Sequence, residues 1–418
     1  MTTTTRRRVV LHFDLNRTIL MSDAAGGRTM ENTVNYLLSE CTWGYRHPQR
    51  PEQWVCVSER SSAEPPRPRT CDVQVGEEQV KGVPLITYKQ FVDEALPYKS
   101  LAAAEAGSLE AVKAFNKAAK KQRTALQSAF TGENGPGARV VASFREVMDK
   151  LHFPVGAQRD AAKELAKSMA PSRLQEAWSE GRYYLLPSFM QFLAFLAGHR
   201  DRFDFKLVFR TFGDDIPEVA KEIQMLVDGT HPFCAEQQPL PAAFQLDATS
   251  SQVGTFYRNG FDASGTALAV GTLQKVPFTT QHQSGVDAVA SFYREAQQDV
   301  RIVHGFDAVH AQIREMTESH ATIALRDYWE WWSAHAEDGE YGKLLLVDTQ
   351  PSDDEIAVFF DDHIEAHHAH IVDVRDVKTG APVPFEVSRG KYLQRVEPFA
   401  AITDAHYFIN LVSHLLQE

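Results

Sequence analysis

Three short apolar runs, each ending in polar residues, constrain the fold of this chain more than any other feature of its sequence. They span residues 9–13, 203–212 and 356–360 and are rich in β-branched and aromatic side chains. Runs of this kind predict buried strands. Because ligands bind at the carboxyl ends of the strands in an open parallel sheet, the polar tips are expected to converge on one site.

Helical segments alternate with these strands. Apolar residues at 3-to-4 spacing predict helices over residues 31–40, 101–129, 157–179, 188–199, 216–227 and 404–416. The helix at 216–227 is expected to begin with Asp214 or Asp215 as its N-cap and Pro217 in its first turn. Two further strands are predicted at 344–347 and 371–374. This order of helix, strand and polar tip predicts an α/β fold with a Rossmann-like, doubly wound parallel sheet.

An aromatic segment precedes the last strands. Leu325, Tyr328, Trp329 and Trp332 recur at helical spacing within residues 322–335. The spacing predicts a helix whose aromatic stripe packs into the core rather than binding a ligand.

The charge balance limits the classes of partner. The chain has 43 Lys and Arg against 55 Asp and Glu, for a net charge of −12. It therefore offers no basic surface of the kind that binds nucleic acid or anionic membranes, and neither is expected as a partner. No apolar stretch is long enough for a membrane helix, and the four cysteines lack CxxC spacing, so a cytoplasmic protein with reduced thiols is expected. The sequence does not indicate an oligomeric state.

The strand tips carry acidic, amide and hydroxyl residues in a fixed order along the chain. In that order they are Asp14, Asn16, Thr18, Thr211, Asp361 and Asp362. Carboxylates that face each other repel unless a cation lies between them, and Mg²⁺ prefers carboxylate and carbonyl oxygens together with phosphate. Taken together, these motifs resemble those of the haloacid dehalogenase (HAD) superfamily of phosphotransferases.

The resemblance implies a role for each tip. Asp14 matches the nucleophile that attacks phosphorus to form an aspartyl-phosphate. Mg²⁺ would be held by Asp14, the backbone carbonyl of Asn16, and Asp361, with Asp362 in support. Thr211 would hydrogen-bond a phosphoryl oxygen. The implied activity is that of a magnesium-dependent phosphohydrolase or phosphotransferase acting on a small phosphorylated molecule.

The basic third motif of the family has two candidates in this sequence. Arg326 lies near the start of the helix predicted before the last strands, whereas Lys343 lies closer to Asp361 along the chain. Either side chain could bind phosphate, Arg as a planar fork and Lys as a point charge. Arg326 is the preferred candidate.

Asn16 departs from the family's pattern, which has a second acidic residue at this position. An amide does not exchange a proton at neutral pH, so general acid–base help, typically worth about 10²–10⁴-fold, is expected to be missing. Three outcomes stay open: a slow phosphatase, a phosphotransferase whose aspartyl-phosphate persists, and a catalytically inactive module that binds phosphate or protein.

The spacing of the motifs predicts two insertions into a single core. The chain between Asp14 and Thr211, and between Thr211 and Asp361, is longer than one helix and one strand require. The core is predicted over residues 1–40, 183–229 and 316–418, with a mostly helical cap at 41–182 and a smaller insertion at 230–315. Prolines predict an exposed loop or the entry to an inserted unit at 43–69, and the second insertion is expected to hold a β-hairpin formed by 254–258 and 266–270.

A histidine cluster offers a different class of chemistry. His363, His367, His368 and His370 follow the acidic pair directly. His363 and His367 would share a helical face and, with Asp361 or Asp362, could form the transition-metal site of a metallohydrolase. The alternative is a solvated, partly titrating loop.

Overall fold

A computed structural model describes residues 6–21, 29–99, 109–260, 262–277, 285–296, 298, 300–335, 337–350 and 355–416. The strands among these residues are β1 (Arg7–Asp14), β2 (Trp43–His47), β3 (Arg50–Cys56), β4 (Thr70–Val75), β5 (Glu78–Pro84), β6 (Ile86–Thr87), β7 (Phe203–Thr211), β8 (Val253–Arg258), β9 (Thr266–Val270), β10 (Arg301–His304), β11 (Thr322–Arg326), β12 (Lys343–Val347), β13 (Ile356–Asp361), β14 (Val372–Asp376) and β15 (Leu393–Arg395). The α-helices are α1 (Met30–Cys41), α2 (Tyr88–Ala95), α3 (Leu109–Ser128), α4 (Val141–Lys150), α5 (Ala157–Lys167), α6 (Arg173–Ser179), α7 (Pro187–Gly198), α8 (Ile216–Val227), α9 (Gly285–Glu295), α10 (Phe306–Ser319), α11 (Trp329–Ala334), α12 (Phe385–Ser388), α13 (Pro398–Thr403) and α14 (Tyr407–Leu416).

The largest sheet has the strand order β10-β9-β8-β11-β7-β1-β13-β15. Neighbouring strands from β8 across to β15 are parallel. The strands β9 and β10 extend the sheet in antiparallel fashion. The α/β class with a mostly parallel sheet is therefore confirmed.

Both faces of the strand β1 are covered, which explains why four of the five residues at 9–13 are apolar. On one face Phe13 stacks on Phe360 at 4.6 Å between ring centroids and meets Phe189 of α7 at 5.1 Å. On the other face Val10 belongs to a cluster that includes Val309 of α10. Because successive side chains of a strand point to opposite faces, a strand buried on both sides needs apolar residues at nearly every position.

Most predicted elements are confirmed. The predicted strands and helices correspond to β1, β7, β12, β13 and β14 and to α1, α3, α5, α6, α7, α8 and α14. The hairpin is confirmed by the antiparallel pairing of β8 with β9. Of the helix predicted at 101–129, residues 101–108 lie outside the described part of the chain. The region predicted as a second insertion supplies β8, β9 and β10 to the main sheet.

The prediction of one helix over residues 322–335 is wrong. Thr322–Arg326 forms the strand β11, and only Trp329–Ala334 is helical. The short apolar run at 323–325 fits the period of a helix or of a strand, and its pairing between β7 and β8 favours the strand.

Of the two alternatives for residues 43–69, the exposed loop is wrong for the first part of the segment. Residues 43–56 contain β2 and β3, which pair with each other, whereas 57–69 form neither strand nor helix. Pro51 is tolerated because β3 is an outer strand of the sheet β3-β2-β6, where a missing N–H costs no ladder bond.

The chain divides into two compact units. The first comprises Met1–Leu20, Phe153–Val396 and Ala405–Glu418 and contains the large sheet, and the second comprises Met21–His152 and Glu397–Asp404. The second unit has the helices α1 to α4 and α13 and also two small sheets, β3-β2-β6 and β4-β5. None of the helices in the described parts of the chain combines the length and the apolar character needed to cross a membrane.

Candidate active site

The loop after β1 brings its polar residues back toward the strand end. Asp14 is the last residue of β1 and is 6% exposed. The backbone N–H groups of Ile19 and Leu20 both donate to the carbonyl of Leu15, at 3.0 and 2.9 Å, which closes a tight turn. Within it, Thr18 Oγ1 donates to Asp14 Oδ2 at 3.2 Å and accepts from the backbone N–H of Asp362 at 3.2 Å. Thr18 therefore links the tips of β1 and β13.

Lys343 lies between two carboxylates from neighbouring strands. Its ammonium donates to Asp14 Oδ1 and, at 2.8 Å, to Asp361 Oδ2, and its side chain is only 2% exposed. Arg326, the other candidate for the basic motif, is the last residue of β11 and donates from Nη1 to the carbonyl of Leu273 at 2.8 Å. Of the two candidates, Lys343 is the one in contact with Asp14.

The acidic pair is itself surrounded by cationic groups. Asp362 Oδ2 pairs with Arg17 at 3.2 Å, and its Oδ1 lies 2.9 Å from Nδ1 of His363. The backbone N–H of His363 donates to Asp361 Oδ1 at 2.9 Å. Asp361, Asp362 and His363 each offer a possible metal ligand, and these atoms lie within 4.8 Å of one another.

The proposed helical face shared by His363 and His367 is wrong. Residues 363–370 form turns and bends rather than a helix, and His370 has a φ of 52°. The His367 side chain is 81% exposed and lies 3.7 Å from Glu365. Of the histidine cluster, only His363 belongs to the group of candidate metal ligands among the described residues.

The charges in this site shift one another's pKa values. Burial has the largest effect on Asp14 and raises its pKa to about 7; Lys343 opposes this shift, and Asp361 and Asp362 add to it. Burial also acts against charge on Asp361, but Lys343 and His363 outweigh it and lower the pKa of that carboxyl. Burial opposes a positive charge on His363, yet the carboxylates of Asp362 and Asp361 raise its pKa to about 10.

Asn16 is bound to a carboxylate that comes from the neighbouring strand tip. Its Nδ2 donates to Asp215 Oδ2 at 2.9 Å. The other oxygen of Asp215 accepts from Arg173 and, at 3.3 Å, from the Tyr184 hydroxyl. Asp215 is only 2% exposed, so these donors satisfy a buried charge.

Thr211 ends β7 beside this carboxylate. Its Oγ1 accepts from the backbone N–H of Gly213 at 2.9 Å. A side chain at Gly213 would meet Asp215 Oδ2 at 2.7 Å and Thr211 Oγ1 at 3.3 Å. The turn after β7 therefore needs a glycine for the two polar groups to approach this closely.

Sequence reasoning missed Arg17 and Asp215 as members of the site. The sequence favours Asp215 only as a candidate N-cap of α8, and its side chain makes no capping hydrogen bond there. The signal that could have found it is the Asp214-Asp215 pair directly after a strand tip, the same signal that identified Asp361-Asp362. Arg17 lies between two motif residues, but nothing in the sequence indicates that it folds back onto Asp362.

The donor set fits a hard divalent cation. Asp14, Asp361 and Asp362 offer three carboxylates against the two permanent cations Lys343 and Arg17, and a protonated His363 supplies the third positive charge. A divalent cation could take the place of the proton that Asp361 and Asp362 stabilise on His363, because the same carboxylates attract either cation. Carboxylate oxygens suit Mg²⁺, whereas the nitrogen of His363 would suit a transition metal.

No family model matches this chain, and no curated protein or solved structure is significantly similar to it.

Proposed function

We propose that this chain is a magnesium-dependent phosphohydrolase or phosphotransferase that acts through an aspartyl-phosphate on Asp14. The observation that carries the proposal is the Lys343 ammonium, which is bonded to both Asp14 and Asp361 in a buried site. A fixed cation next to a carboxylate nucleophile offsets the repulsion that an incoming phosphoryl group would meet. The substrate would be a small phosphorylated molecule.

In the first step an oxygen of Asp14 attacks phosphorus, and the bond from phosphorus to the leaving oxygen breaks. Asp14 must be ionised to attack, and Lys343 favours that form because it lowers the pKa that burial raises. Thr18 keeps one Asp14 oxygen oriented by its hydrogen bond. The Thr211 hydroxyl would donate to a phosphoryl oxygen, since its present bond to Gly213 uses it only as an acceptor.

Asp14, Asp361, Asp362 and the backbone carbonyl of Asn16 would hold Mg²⁺. When bound, the ion neutralises charge between the nucleophile and the phosphoryl oxygens. His363 would then give up its proton, because the carboxylates that raise its pKa would be shared with the metal.

In the second step water attacks the phosphorus of the aspartyl-phosphate, the bond to Asp14 breaks, and the proton that the water loses leaves with the released phosphate. Asn16 does not take the proton from this water, so the step is expected to be slow. Because position 16 carries no acid, the first step is also limited to substrates whose leaving group departs without protonation. We therefore expect aryl phosphates to turn over faster than alkyl phosphates.

The kinetic test compares phosphomonoester hydrolysis by wild type, Asp14→Asn and Asp348→Asn. Asp348 follows β12 and pairs with Lys378 at 2.8 Å, so its variant controls for the loss of a carboxylate near a strand end. Asp14→Asn is expected to lower kcat by about 10³-fold or more, and Asp348→Asn to leave it unchanged. Equal rates for wild type and Asp14→Asn would end the catalytic proposal. Beryllofluoride with Mg²⁺ tests the nucleophile directly, because an adduct is expected on Asp14.

Two other functions have support from single observations. One is a module that binds phosphate without turnover, which is favoured because position 16 carries an amide, bonded to Asp215, instead of an acid. This module would bind beryllofluoride and hydrolyse no phosphomonoester. A metallohydrolase is favoured by the Asp361, Asp362 and His363 group. It predicts hydrolysis that survives Asp14→Asn and is lost in His363→Ala.

A further inference from the structure

Lys343 lies on a strand that is not hydrogen-bonded to the strands holding its partners. Among the described residues, β12 pairs with β14 in a separate two-stranded sheet, while Asp14 and Asp361 end strands of the large sheet. The ladder of the large sheet therefore fixes both carboxylates relative to each other, but it does not fix the ammonium relative to them. Another set of contacts must do so.

Two arginines bind the backbone on either side of Lys343. In a strand, successive carbonyls point to opposite edges, and the N–H of Lys343 donates toward β14, to the carbonyl of Ile371 at 2.7 Å. The carbonyls of Gly342 and Leu344 consequently face the other edge. There the Gly342 carbonyl accepts from Arg258 Nη1 at 2.9 Å, and the Leu344 carbonyl accepts from Arg210 Nη2 at 2.9 Å.

Arg210 is rigidly held and belongs to the strand next to β1. It is fully buried, its Nε donates to Asp327 Oδ2 at 2.9 Å, and its guanidinium lies between the rings of Phe256 and Phe359, at 5.0 and 5.1 Å. The backbone N–H of Asp327 in turn donates to the carbonyl of Thr211 at 2.7 Å. Arg210 thus connects β12 to the strand tip that carries Thr211.

Arg258 fixes the same segment from β8. It is 2% exposed, and its Nη2 donates to Asp373 Oδ2 of β14 at 2.7 Å. Because one guanidinium binds both the start of β12 and the side chain of β14, it sets the position of the two-stranded sheet against the large one. A planar fork with several fixed donors suits this double contact, whereas an ammonium is a single point charge.

We propose that Arg210 and Arg258 are positioning residues that hold the Lys343 ammonium between Asp14 and Asp361 by binding the carbonyls of Leu344 and Gly342. The proposal rests on the proposed function in so far as that function needs Lys343 at Asp14. Neither arginine contacts the reacting atoms, so both act through Lys343.

The test replaces each arginine with lysine. Lysine keeps a buried positive charge for Asp327 or Asp373, but it lacks the planar guanidinium that binds a carboxylate and a backbone carbonyl at the same time. The readout is the exchange with water of the Lys343 ammonium hydrogens, followed by ¹⁵N NMR and assigned by the loss of the signal in Lys343→Met. Lys206, which is 7% exposed and pairs with Asp204 at 3.2 Å, is the internal reference. Both variants are expected to accelerate exchange at Lys343 by about tenfold or more and to leave Lys206 unchanged.

The control variant Glu222→Gln distinguishes a general loss of stability from a displacement of Lys343, because it weakens the buried pair of Glu222 with His231, which does not involve β12. The proposal is overturned if exchange at Lys343 changes by less than about twofold in both arginine variants, or if Glu222→Gln accelerates it equally. If Arg210→Lys fails to fold, Arg258→Lys alone tests the proposal. This second variant is expected to fold, because Arg375 still donates to Asp373 at 2.8 Å and keeps that buried carboxylate paired.

Turnover of an aryl phosphate with Mg²⁺ provides the second readout. The arginine variants are expected to lower kcat by about tenfold to a hundredfold with KM changed by less than about threefold, since a misplaced Lys343 acts on the reaction rather than on binding. A wild-type protein without turnover would count against the proposed function only, because the exchange measurement needs no activity.

Discussion

Replacing Gly342 with alanine tests how tightly the start of β12 is held. A Cβ at this position would lie 2.0 Å from the carbonyl oxygen of Ile371 and 2.4 Å from its carbonyl carbon. Both are backbone atoms at the entry to β14, so they do not move aside as the end of a flexible side chain does. Ordinary contact needs about 3.4 Å, which requires the backbone to shift by roughly 1 Å or more. Overpacking of this kind costs about 1–3 kcal/mol, and we expect Gly342→Ala to lie at the upper end.

The shift would also carry Lys343, the next residue, away from Asp14. A misplacement of about 1 Å costs on the order of 10²-fold in rate, so turnover is expected to fall by about that factor. Urea denaturation gives the free energy of unfolding, and aryl phosphate hydrolysis gives the rate. Gly198→Ala is the matched control: Gly198 is an exposed helical residue at the end of α7 with no atom near its Cβ position, and alanine there is expected to stabilise by about 0.5–1 kcal/mol. An unfolding free energy for Gly342→Ala within about 0.5 kcal/mol of wild type would refute the steric reasoning.

Two further substitutions test the polar contacts of the same unit. Asn16→Asp would set a carboxylate against Asp215, so one of the two carboxyl groups is expected to keep a proton. If that proton can be given to the leaving group, turnover of alkyl phosphates is expected to rise by about 10²-fold or more. An unchanged rate would mean that the missing acid does not limit turnover. Glu222→Leu would remove a fully buried acceptor for the Leu185 N–H at 2.9 Å and for His231 Nε2 at 3.1 Å. The two donors left unpaired are expected to lower the free energy of unfolding by about 2–4 kcal/mol. A loss under about 1 kcal/mol in urea titrations would contradict this expectation.

The parallel strands could be predicted from sequence because burial on two faces leaves a local signal. Phe13 and Val10 of β1 point to opposite faces, and both are buried. The strand β11 lacked such a signal, since the run at 322–325 is followed by Tyr328 and Trp332 at spacings that a helix also produces. This segment forms a strand because it pairs with β7 and β8. Such pairing is a long-range interaction, and the local periodicity of the sequence does not reveal it.

The candidate site follows the same division. Asp14, Thr211 and Asp361 could be predicted to lie at one edge of the sheet because each ends a strand, and the parallel strands β7, β1 and β13 are adjacent. The contact of Lys343 with Asp14 could not, because β12 lies in a different sheet and its position depends on side chains from β7 and β8. Preference for Arg326 as the basic residue rested partly on a helix that does not form there.

The contact between Asn16 and Asp215 bears on how the site manages its charge. Burial is the largest cause that raises the pKa of Asp14 to about 7, and the carboxylates of Asp361 and Asp362 add to it against the opposing Lys343 ammonium. An aspartate at position 16 would place a second carboxylate against Asp215, and the repulsion between the two would favour a protonated form of one of them. The amide avoids this and still gives Asp215 a donor. On this reasoning Asn16 satisfies Asp215 without adding a charge to the site, and under the proposed function the same amide removes the proton donor, so a slow turnover would have a local structural cause.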